Sequence, residues 1–506
     1  MVSNKSVVSN TIILGALAIF LSSAINLIMV PFITQRLGVE AYGFVTLGRN
    51  IADYAGIAML ALNSFSARFM AVSYMQDKQK DFSEYYSTVF LSNLVIGAIL
   101  FIIGAVISIF ANEILNIPDK FAIDVPILFL GIFLSSYLMF ASTAFQSITY
   151  AIKRLDLYNL IRNIGLLTQA FILVALFFCF EGKIWYVGLA YLGQNIIIFI
   201  LCYLVKQRYV SELRARLETF SFSRLRILVL NGIWNSINQI GNVLNSGLDL
   251  VVTNVFLTGE IMGIISITKM IGGLFSTINQ TISQSFHPVF LQLFSDGKQD
   301  ELLKEFKRAT NICGIFANTV FVTLIVFGRD FYRIWVPSVS NETLYYLTIL
   351  AIIPSLFEGY ISPIGYIYTL KMKNKVPCFV TIAGGLVNVV GMLVLLTTTS
   401  LAEYAVLGTT MVVMTIIYFI FNPIYMAKCL QIRFTYFYPA IMQNFALAVI
   451  SCVLMLFCKE FLPEINGWLL FIVYNSSLAI ILILFQSIVL LGKNKTLSYI
   501  KKWGGV

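Results

Sequence analysis

The chain has 506 residues, of which 59% are hydrophobic and only 11% carry a charged side chain. This composition excludes an ordinary soluble domain, in which about a quarter of the residues are charged, and it predicts an integral membrane protein. A single histidine, His287, and seven scattered cysteines predict neither a metal site nor a metal-dependent cofactor.

Apolar runs of about 18 residues or more predict about fourteen membrane-spanning helices. They are predicted to begin near residues 10, 44, 86, 124, 157, 184, 228, 261, 309, 343, 376, 403, 437 and 467. Most of the 34 lysines and arginines lie in alternate loops and in the terminal segments, and such residues resist translocation. Both termini are therefore expected in the cytoplasm, and the net charge of +10 reflects membrane topology, not nucleic-acid binding.

An internal repeat divides the predicted spans. Residues 40–49 read Glu-Ala-Tyr-Gly-Phe-Val-Thr-Leu-Gly-Arg and residues 260–269 read Glu-Ile-Met-Gly-Ile-Ile-Ser-Ile-Thr-Lys, so a glutamate, a glycine and a basic residue recur at an offset of 220. Each half has six spans, so both would cross the membrane in the same direction and be related by an axis along its normal. The predicted parts are an N-terminal lobe (1–208), a cytoplasmic linker forming an amphipathic helix (209–227), a C-terminal lobe (228–430) and two further helices (431–506).

Three basic residues, Arg49, Arg162 and Lys269, fall inside predicted spans, where a charge costs at least a few kcal/mol. Arg49 and Lys269 are predicted in the outer half of the membrane and Arg162 in the inner half. Because arginine and lysine bind phosphate oxygens through charged hydrogen bonds, all three are candidate ligands for a phosphate-bearing substrate. Alternatively, Arg49 pairs with Asp53, Lys269 pairs with Asp249, and Arg162 extends toward the inner surface.

A stripe of polar side chains follows one face of the seventh span, at steps of four and three residues. Its members are Asn231, Asn235, Asn238, Asn242, Asn245 and Asp249. At 1.5 Å per residue the stripe is about 27 Å long, close to the thickness of a bilayer core. Amides both donate and accept hydrogen bonds, so this face suits a cavity that binds a hydroxyl-rich ligand such as a sugar. The alternative is hydrogen bonding between neighbouring helices.

The eighth span continues this pattern with Gln280 and Gln284, which we expect to line the same cavity. In the tenth span, Glu358 lies between two prolines nine residues apart, which predict a kinked or broken helix. The carboxylate there would be protonated, hold a cation, or bond as a neutral acid to a freed carbonyl. The first two states make Glu358 a candidate ion-coupling residue, with Asp249 and Asp53 as weaker candidates.

Residues 26–43, at the exit of the first span, read Asn-Leu-Ile-Met-Val-Pro-Phe-Ile-Thr-Gln-Arg-Leu-Gly-Val-Glu-Ala-Tyr-Gly. With spans grouped as six, six and two, this segment resembles the polysaccharide-transporter branch of the multidrug/oligosaccharidyl-lipid/polysaccharide export superfamily. The resemblance extends over nearly the whole chain, and the turn Arg-Leu-Gly-x-x-x-Tyr-Gly is its most recognisable part. It implies an all-α fold of two six-helix lobes around a cavity.

The resemblance also implies a function. Such proteins flip an undecaprenyl-pyrophosphate-linked oligosaccharide of capsule, O-antigen or teichoic-acid type to the outer leaflet of the bacterial plasma membrane. The pyrophosphate would contact Arg49, Arg162 or Lys269, the glycan would contact the asparagine stripe, and a proton or sodium ion would act through Glu358 or Asp249. We expect a monomer among membrane lipids, without a cofactor, that contacts glycan-assembly enzymes.

Three other functions remain open, one of which, a lipid-modulated scaffold or channel, is disfavoured by the two-fold repeat. A multidrug cation antiporter of the same superfamily is expected to have an acidic and aromatic cavity, whereas the charges inside the predicted spans are mainly basic. A membrane glycan polymerase or glycosyltransferase would need a sizeable outer loop with carboxylates, and all the predicted outer loops are short. No cytoplasmic segment contains a Gly-rich loop with a GK[ST] sequence, so the sequence does not predict a nucleotide site.

Overall fold

The computed structural model of the chain describes residues 4–492. The residues before and after this range include both termini, so their predicted cytoplasmic location and the end of the predicted segment 431–506 lie outside the described residues. Within residues 4–492 all regular elements are helices and no β-strand forms. The predicted all-α class is therefore confirmed.

The described chain folds as two compact units. The first comprises residues up to Val243 together with Leu250–Gly263. Its core is built from large side chains such as Tyr86, Val89 and Phe145. Its helices are α1 (Asn4–Leu37), α2 (Val39–Ala55), α3 (Ile57–Asn63), α4 (Ser66–Met75), α5 (Gln79–Ile109), α6 (Ala111–Ile114), α7 (Asp124–Ala151), α8 (Leu155–Cys179), α9 (Tyr186–Tyr209), α10 (Phe222–Asn242) and most of α11 (Asp249–Phe256).

The second unit comprises Leu244–Asp249 and the residues from Ile264 onward. Aromatic residues such as Phe290, Phe306 and Tyr360 fill its core. The last two helices pack against it through a second apolar cluster. Its helices are most of α12 (Gly259–Gln284), α13 (His287–Ser295), α14 (Gln299–Trp335), α15 (Asn341–Gly365), α16 (Ile367–Leu370), α17 (Lys375–Thr398), α18 (Glu403–Ile416), α19 (Asn422–Leu430), α20 (Tyr438–Lys459) and α21 (Trp468–Leu491).

The number of membrane spans differs slightly from the prediction. Within residues 4–492, twelve helices or near-continuous helix pairs are long and apolar enough to cross a membrane, and a thirteenth span results if Val39–Ala55 and Ile57–Met75, bent by 46°, count as one. The predicted span that is missing from this count is the seventh, which corresponds to α10 and α11. This segment is helical, but its asparagine-rich sequence is too polar to qualify.

Helix boundaries recur at the offset of the predicted repeat. Helices α2 and α12 begin at Val39 and Gly259, and helices α5 and α14 begin at Gln79 and Gln299, both 220 residues apart. Helices α8 and α17 begin at residues 155 and 375, again with the same offset. The repeat inferred from three matching residues therefore extends through several helices of each half.

Five helix hairpins turn in the same way. Asp77, Lys153, Gly297, Met372 and Gln431 each adopt a positive φ between 53° and 70° directly after a helix. At each turn the next residue donates its N–H to a carbonyl five residues back, as Lys78 does to Ser73 (3.0 Å) and Lys298 to Leu293 (3.0 Å). This is the Schellman arrangement, which satisfies carbonyls left free at a helix end.

The linker between α9 and α10 does not form the predicted amphipathic helix. It is extended apart from one short turn, Leu217–Thr219. The hydroxyls of α5 bind it instead: the Ser221 N–H donates to Thr88 Oγ1 (3.1 Å), and Thr219 Oγ1 lies 2.6 Å from Ser87 Oγ. These bonds satisfy hydrogen-bonding groups of the linker that a helix would otherwise have to satisfy. The amphipathic helix predicted for this segment is therefore not formed.

The two repeated segments, which form the first turns of helices α2 and α12, contact each other within the first unit. A Cβ on Gly43 would lie 2.9 Å from the backbone nitrogen of Gly263, and a Cβ on Gly263 would collide with the carbonyl oxygen of Val39. The backbones are therefore close enough that only glycine fits, which gives the repeated glycine a structural role.

We expect Gly263→Ala to destabilise the protein by about 1–3 kcal/mol, because a backbone carbonyl cannot move aside for the added methyl group. Gly273→Ala is the matched control, since it lies on the same helix with no other atom within 4 Å of its Cβ position. Alanine is the better helix former, so this control should be neutral or stabilising. Thermal unfolding of the detergent-solubilised protein measures both, and equal shifts would contradict the contact.

Candidate functional site

A polar cavity of about 280 Å³ lies among the helices of the first unit. It is formed by α2, α7, α8 and α9, and it contains three charged residues, two of them arginines. Its lining comprises Arg49, Ala52, Asp53, Ile132, Ser135, Ser136, Met139, Gln146, Tyr158, Arg162, Tyr191, Gln194, Asn195 and Ile198. The sequence had placed Arg49 and Arg162 at different depths, whereas the structure brings them to one cavity.

Arg49 is held by a neutral partner. Its Nη1 donates to the hydroxyl of Tyr191 at 2.9 Å, and the guanidinium carbon lies 5.0 Å from the centre of the same ring. Among the described residues, no carboxylate comes within ion-pair distance of Arg49, although Asp53 lines the same cavity. The alternative in which Arg49 pairs with Asp53 is therefore not seen in the structure, and the arginine retains its charge in the cavity.

Arg162 lines the cavity from α8 and is exposed there. In the described part of the chain it makes neither an ion pair nor a hydrogen bond. The nearest acid on its own helix, Asp156, is already paired with Arg154, whose Nε lies 2.8 Å from the carboxylate. With two arginines and one aspartate, the lining has a net positive charge.

Helix α9 contributes residues that the sequence reading missed. Tyr191, Gln194 and Asn195 line the cavity. Asn195 Nδ2 donates to Ser135 Oγ on α7 at 2.7 Å, which fixes one side of the cavity wall. Gln194 and Asn195 follow Tyr191 by three and four residues in an otherwise apolar span, and this helical spacing was the available signal in the sequence.

The predicted asparagine stripe is divided by a local change in helix geometry. Its first four members lie on α10, after which residues Val243–Gly247 form a π-helical turn and α11 begins at Asp249. A π-turn inserts one extra residue, so the helical phase is lost at this point. The stripe is therefore not one continuous face.

On α10 the packing face and the asparagine face are different. Gly232 and Ser236 pack against α3, where Ser236 Oγ donates to the Ile57 carbonyl oxygen at 2.7 Å. Asn231 and Asn235 are exposed, as is Asn242, and Asn238 is half-buried. Asn231 donates to the Ile227 carbonyl of its own helix at 2.7 Å.

Asn245 serves the second unit as a link between helices. It is 1% exposed, and its Nδ2 donates to the carbonyl oxygen of Thr381 at 2.6 Å. Asn388 Nδ2 donates in turn to the carbonyl oxygen of Asn245 at 2.7 Å. For this asparagine the structure shows the predicted alternative, hydrogen bonding between helices.

Lys269 and Asp249 form the predicted ion pair. Lys269 Nζ lies 2.7 Å from Asp249 Oδ2, and the aspartate side chain is fully buried. The same ammonium donates to the carbonyl oxygen of Ser246, inside the π-helical turn. Lys269 is thus neutralised and stabilises the break in the helix, in contrast to the two arginines of the first unit.

Glu358 lies in a polar cluster of the second unit. Its carboxylate accepts hydrogen bonds from Ser276 Oγ at 2.7 Å and from Gln280 Nε2 at 3.2 Å. No basic residue in the described part of the chain pairs with it. Helix α15 is continuous through both prolines and ends at Gly365, so, of the predicted kink or break near Glu358, the break does not occur. Gln284, one turn beyond Gln280, is exposed.

Comparison with known proteins identifies the family of this chain. The sequence profile of the polysaccharide biosynthesis protein family matches residues 37–337, more than half of the chain. The chain belongs to this family. A relative of this polysaccharide biosynthesis protein, the membrane protein EpsK of Bacillus subtilis (strain 168), is 26% identical over 462 residues, which are 89% of each chain. The predicted polysaccharide-transporter branch is thereby confirmed.

Two solved structures resemble the fold of this polysaccharide biosynthesis protein. An inward-facing multidrug resistance MATE family transporter of the MOP superfamily has a TM-score of 0.67 and 12% identity, covering 80% of this chain and 95% of its own. The lipid II flippase MurJ in an inward closed conformation has a TM-score of 0.66 and 14% identity, covering 94% and 98%. At such identities the likeness shows the fold alone, an all-α fold with many membrane-spanning helices.

Proposed function

We propose that this chain flips an oligosaccharide, linked through pyrophosphate to an undecaprenyl carrier, from the inner to the outer leaflet of a bacterial plasma membrane. Alternating access would expose the substrate site to each side in turn, with both termini in the cytoplasm. The repeat unit would be of capsule, O-antigen or teichoic-acid type. The membership in the polysaccharide biosynthesis family supports a glycan substrate, and the lipid II flippase MurJ shares the fold.

The single observation that carries the proposal is the cavity with two arginines that form no ion pair with any carboxylate of residues 4–492. Two guanidinium groups that line one cavity repel each other, and a substrate phosphate would neutralise them through charged hydrogen bonds. Arginine suits this role because its planar fork can contact two oxygens of one phosphate. We therefore assign Arg49 and Arg162 to the pyrophosphate.

The glycan would contact amide groups of the same unit. Asn235 and Asn238 make no hydrogen bond within the described residues and lie on the face of α10 that does not pack against α3. Gln194 and Asn195 offer further donors and acceptors in the cavity itself. We expect Asn235→Ala and Asn238→Ala together to reduce surface polysaccharide severalfold, whereas Asn388→Ala, which removes a link between helices, should reduce protein yield instead. Quantitative blotting alongside glycan measurement separates the two effects.

Glu358 is our proposed ion-coupling group. It is the acid among the predicted candidates that has only neutral hydrogen-bond donors around it, since Asp249 is paired with Lys269. A carboxylate in such surroundings gains from binding a proton or a sodium ion, and this gain can be linked to a conformational change. Asp53 remains the second candidate because it lies exposed in the cavity of the first unit.

The charge of the cavity also bears on the alternatives. An organic cation would meet two arginines and one aspartate, so the multidrug antiporter is the less favoured function. For a polymerase or glycosyltransferase, the connections between long helices in the described range are short and offer no separate catalytic domain.

Deletion of the gene tests the proposal. Lipid-linked oligosaccharide should accumulate on the inner leaflet, where a glycan-specific lectin added to intact spheroplasts cannot reach it, and a plasmid copy should restore surface exposure. Unchanged surface glycan together with new sensitivity to organic cations would instead support the antiporter.

A further inference from the structure

Arg49 has two potential partners in the cavity of the first unit. Asp53 follows it by one helical turn on α2, a spacing at which an arginine and an aspartate can pair. Tyr191 approaches from α9. Only the tyrosine bonds to it, at 2.9 Å, and no ion pair joins Arg49 to Asp53 among the described residues.

The choice of partner decides whether the arginine remains available to an anion. A carboxylate would cancel its charge, as Asp249 does for Lys269 in the second unit at 2.7 Å. A phenol is neutral, so it orients the guanidinium through a hydrogen bond and ring contact while leaving the charge in place.

The position of Tyr191 is itself fixed by close helix packing. Three residues earlier on α9, Gly188 contacts Gly131 of α7 backbone to backbone, since a Cβ on Gly131 would lie 3.2 Å from Gly188 Cα. One turn later, Asn195 Nδ2 donates both to Ser135 Oγ (2.7 Å) and to the Tyr191 carbonyl oxygen (3.2 Å). The hydroxyl is therefore presented to Arg49 from a rigid support.

We infer that Tyr191 is a positioning residue that holds Arg49 away from Asp53 and thereby keeps the arginine free to bind a phosphate group of the substrate. This inference rests on the proposed function, because that function supplies the phosphate. Asp53 is then the internal competitor of the substrate for Arg49.

The inference predicts that two substitutions have opposite effects on the affinity for pyrophosphate. Tyr191→Phe removes the hydroxyl and keeps the ring, so Arg49 should turn to Asp53 and the affinity for pyrophosphate should fall about tenfold. Adding Asp53→Asn should restore the affinity to within about twofold of the wild type, because the competing charge is gone. A purely structural role for the tyrosine hydroxyl would not be rescued by a change on a different helix.

The probe is inorganic pyrophosphate, titrated calorimetrically into the full chain in lipid nanodiscs at low ionic strength. Tyr203→Phe is the matched control: it lies on the same helix, its hydroxyl accepts a bond from Gln207 at 2.6 Å, and it does not line the cavity. This control should bind as the wild type does.

The outcomes separate the inference from the proposed function. If the wild type does not bind pyrophosphate, the phosphate site of the proposed function fails and the inference fails with it. If the wild type binds and Tyr191→Phe binds equally well, or if Asp53→Asn does not rescue it, only the positioning role is overturned. Loss in Tyr191→Phe with recovery in the double variant supports the inference.

Discussion

Replacing Arg49 and Arg162 together by glutamine should abolish export of the lipid-linked glycan while leaving the protein folded. A hydrogen bond to a charged group contributes about 1.5–3 kcal/mol, so losing two such contacts should weaken pyrophosphate binding by about 100-fold or more. Within the described part of the chain, neither arginine has a carboxylate partner that the change would leave unpaired, so the fold should tolerate glutamine. Each single variant should retain partial function.

The measurement is surface polysaccharide in a deletion strain that carries each variant, with protein level quantified in the same membranes. Arg329→Gln is the control, because this arginine forms an exposed ion pair with Glu342 at 3.2 Å, a type of pair worth little in stability. Normal export by the double variant at normal protein level would refute the assignment of the two arginines.

Replacing Lys269 by methionine should also have a large effect, which is a loss of folding stability. Asp249 is fully buried, so removing the ammonium group that neutralises it should cost about 3–5 kcal/mol. The carbonyl of Ser246 in the π-helical turn would lose the same donor. We expect little folded protein in the membrane.

The double variant Lys269→Met/Asp249→Asn should recover much of the lost stability, since a neutral amide tolerates the buried position. Fluorescence-detected size-exclusion chromatography after heating measures both variants. If Lys269→Met is as stable as the wild type and yet fails to export glycan, Lys269 acts on the substrate and the structural role of the pair is wrong.

The repeat was predictable because matching residues lie within one short segment of each half. A glutamate, a glycine and a basic residue within ten positions predicted an offset of 220. The helices that begin at Gln79 and Gln299 follow the same offset. The structure adds the reason for the repeated glycine, since Gly43 and Gly263 lie in direct contact.

The asparagine stripe shows where helical periodicity stops being informative. Counting at 3.6 residues per turn assumes a regular helix, and nothing in the sequence marks Val243–Gly247 as a π-helical turn. The pattern therefore identified the open face of α10 but extended it into Asn245 and Asp249, which are buried and serve as links inside the second unit.

The charged cavity could be predicted only in part. Their positions inside predicted membrane spans identified Arg49 and Arg162 as residues whose charge is costly in the membrane and therefore calls for a function. Position along a span cannot reveal which helices are neighbours, so their meeting in one cavity, and the contribution of Tyr191 from α9, required the three-dimensional arrangement. The same limit applied to the linker, whose partners Ser87 and Thr88 lie more than a hundred residues earlier.

Native mass spectrometry of the purified protein with equal amounts of undecaprenyl pyrophosphate and undecaprenol tests the central claim most directly. If the cavity of the first unit binds the pyrophosphate, the wild type will retain the pyrophosphate form in clear preference to the alcohol, and the Arg49→Gln/Arg162→Gln variant will lose that preference. Equal retention of both lipids by the wild type, or an unchanged preference in the variant, would contradict the account.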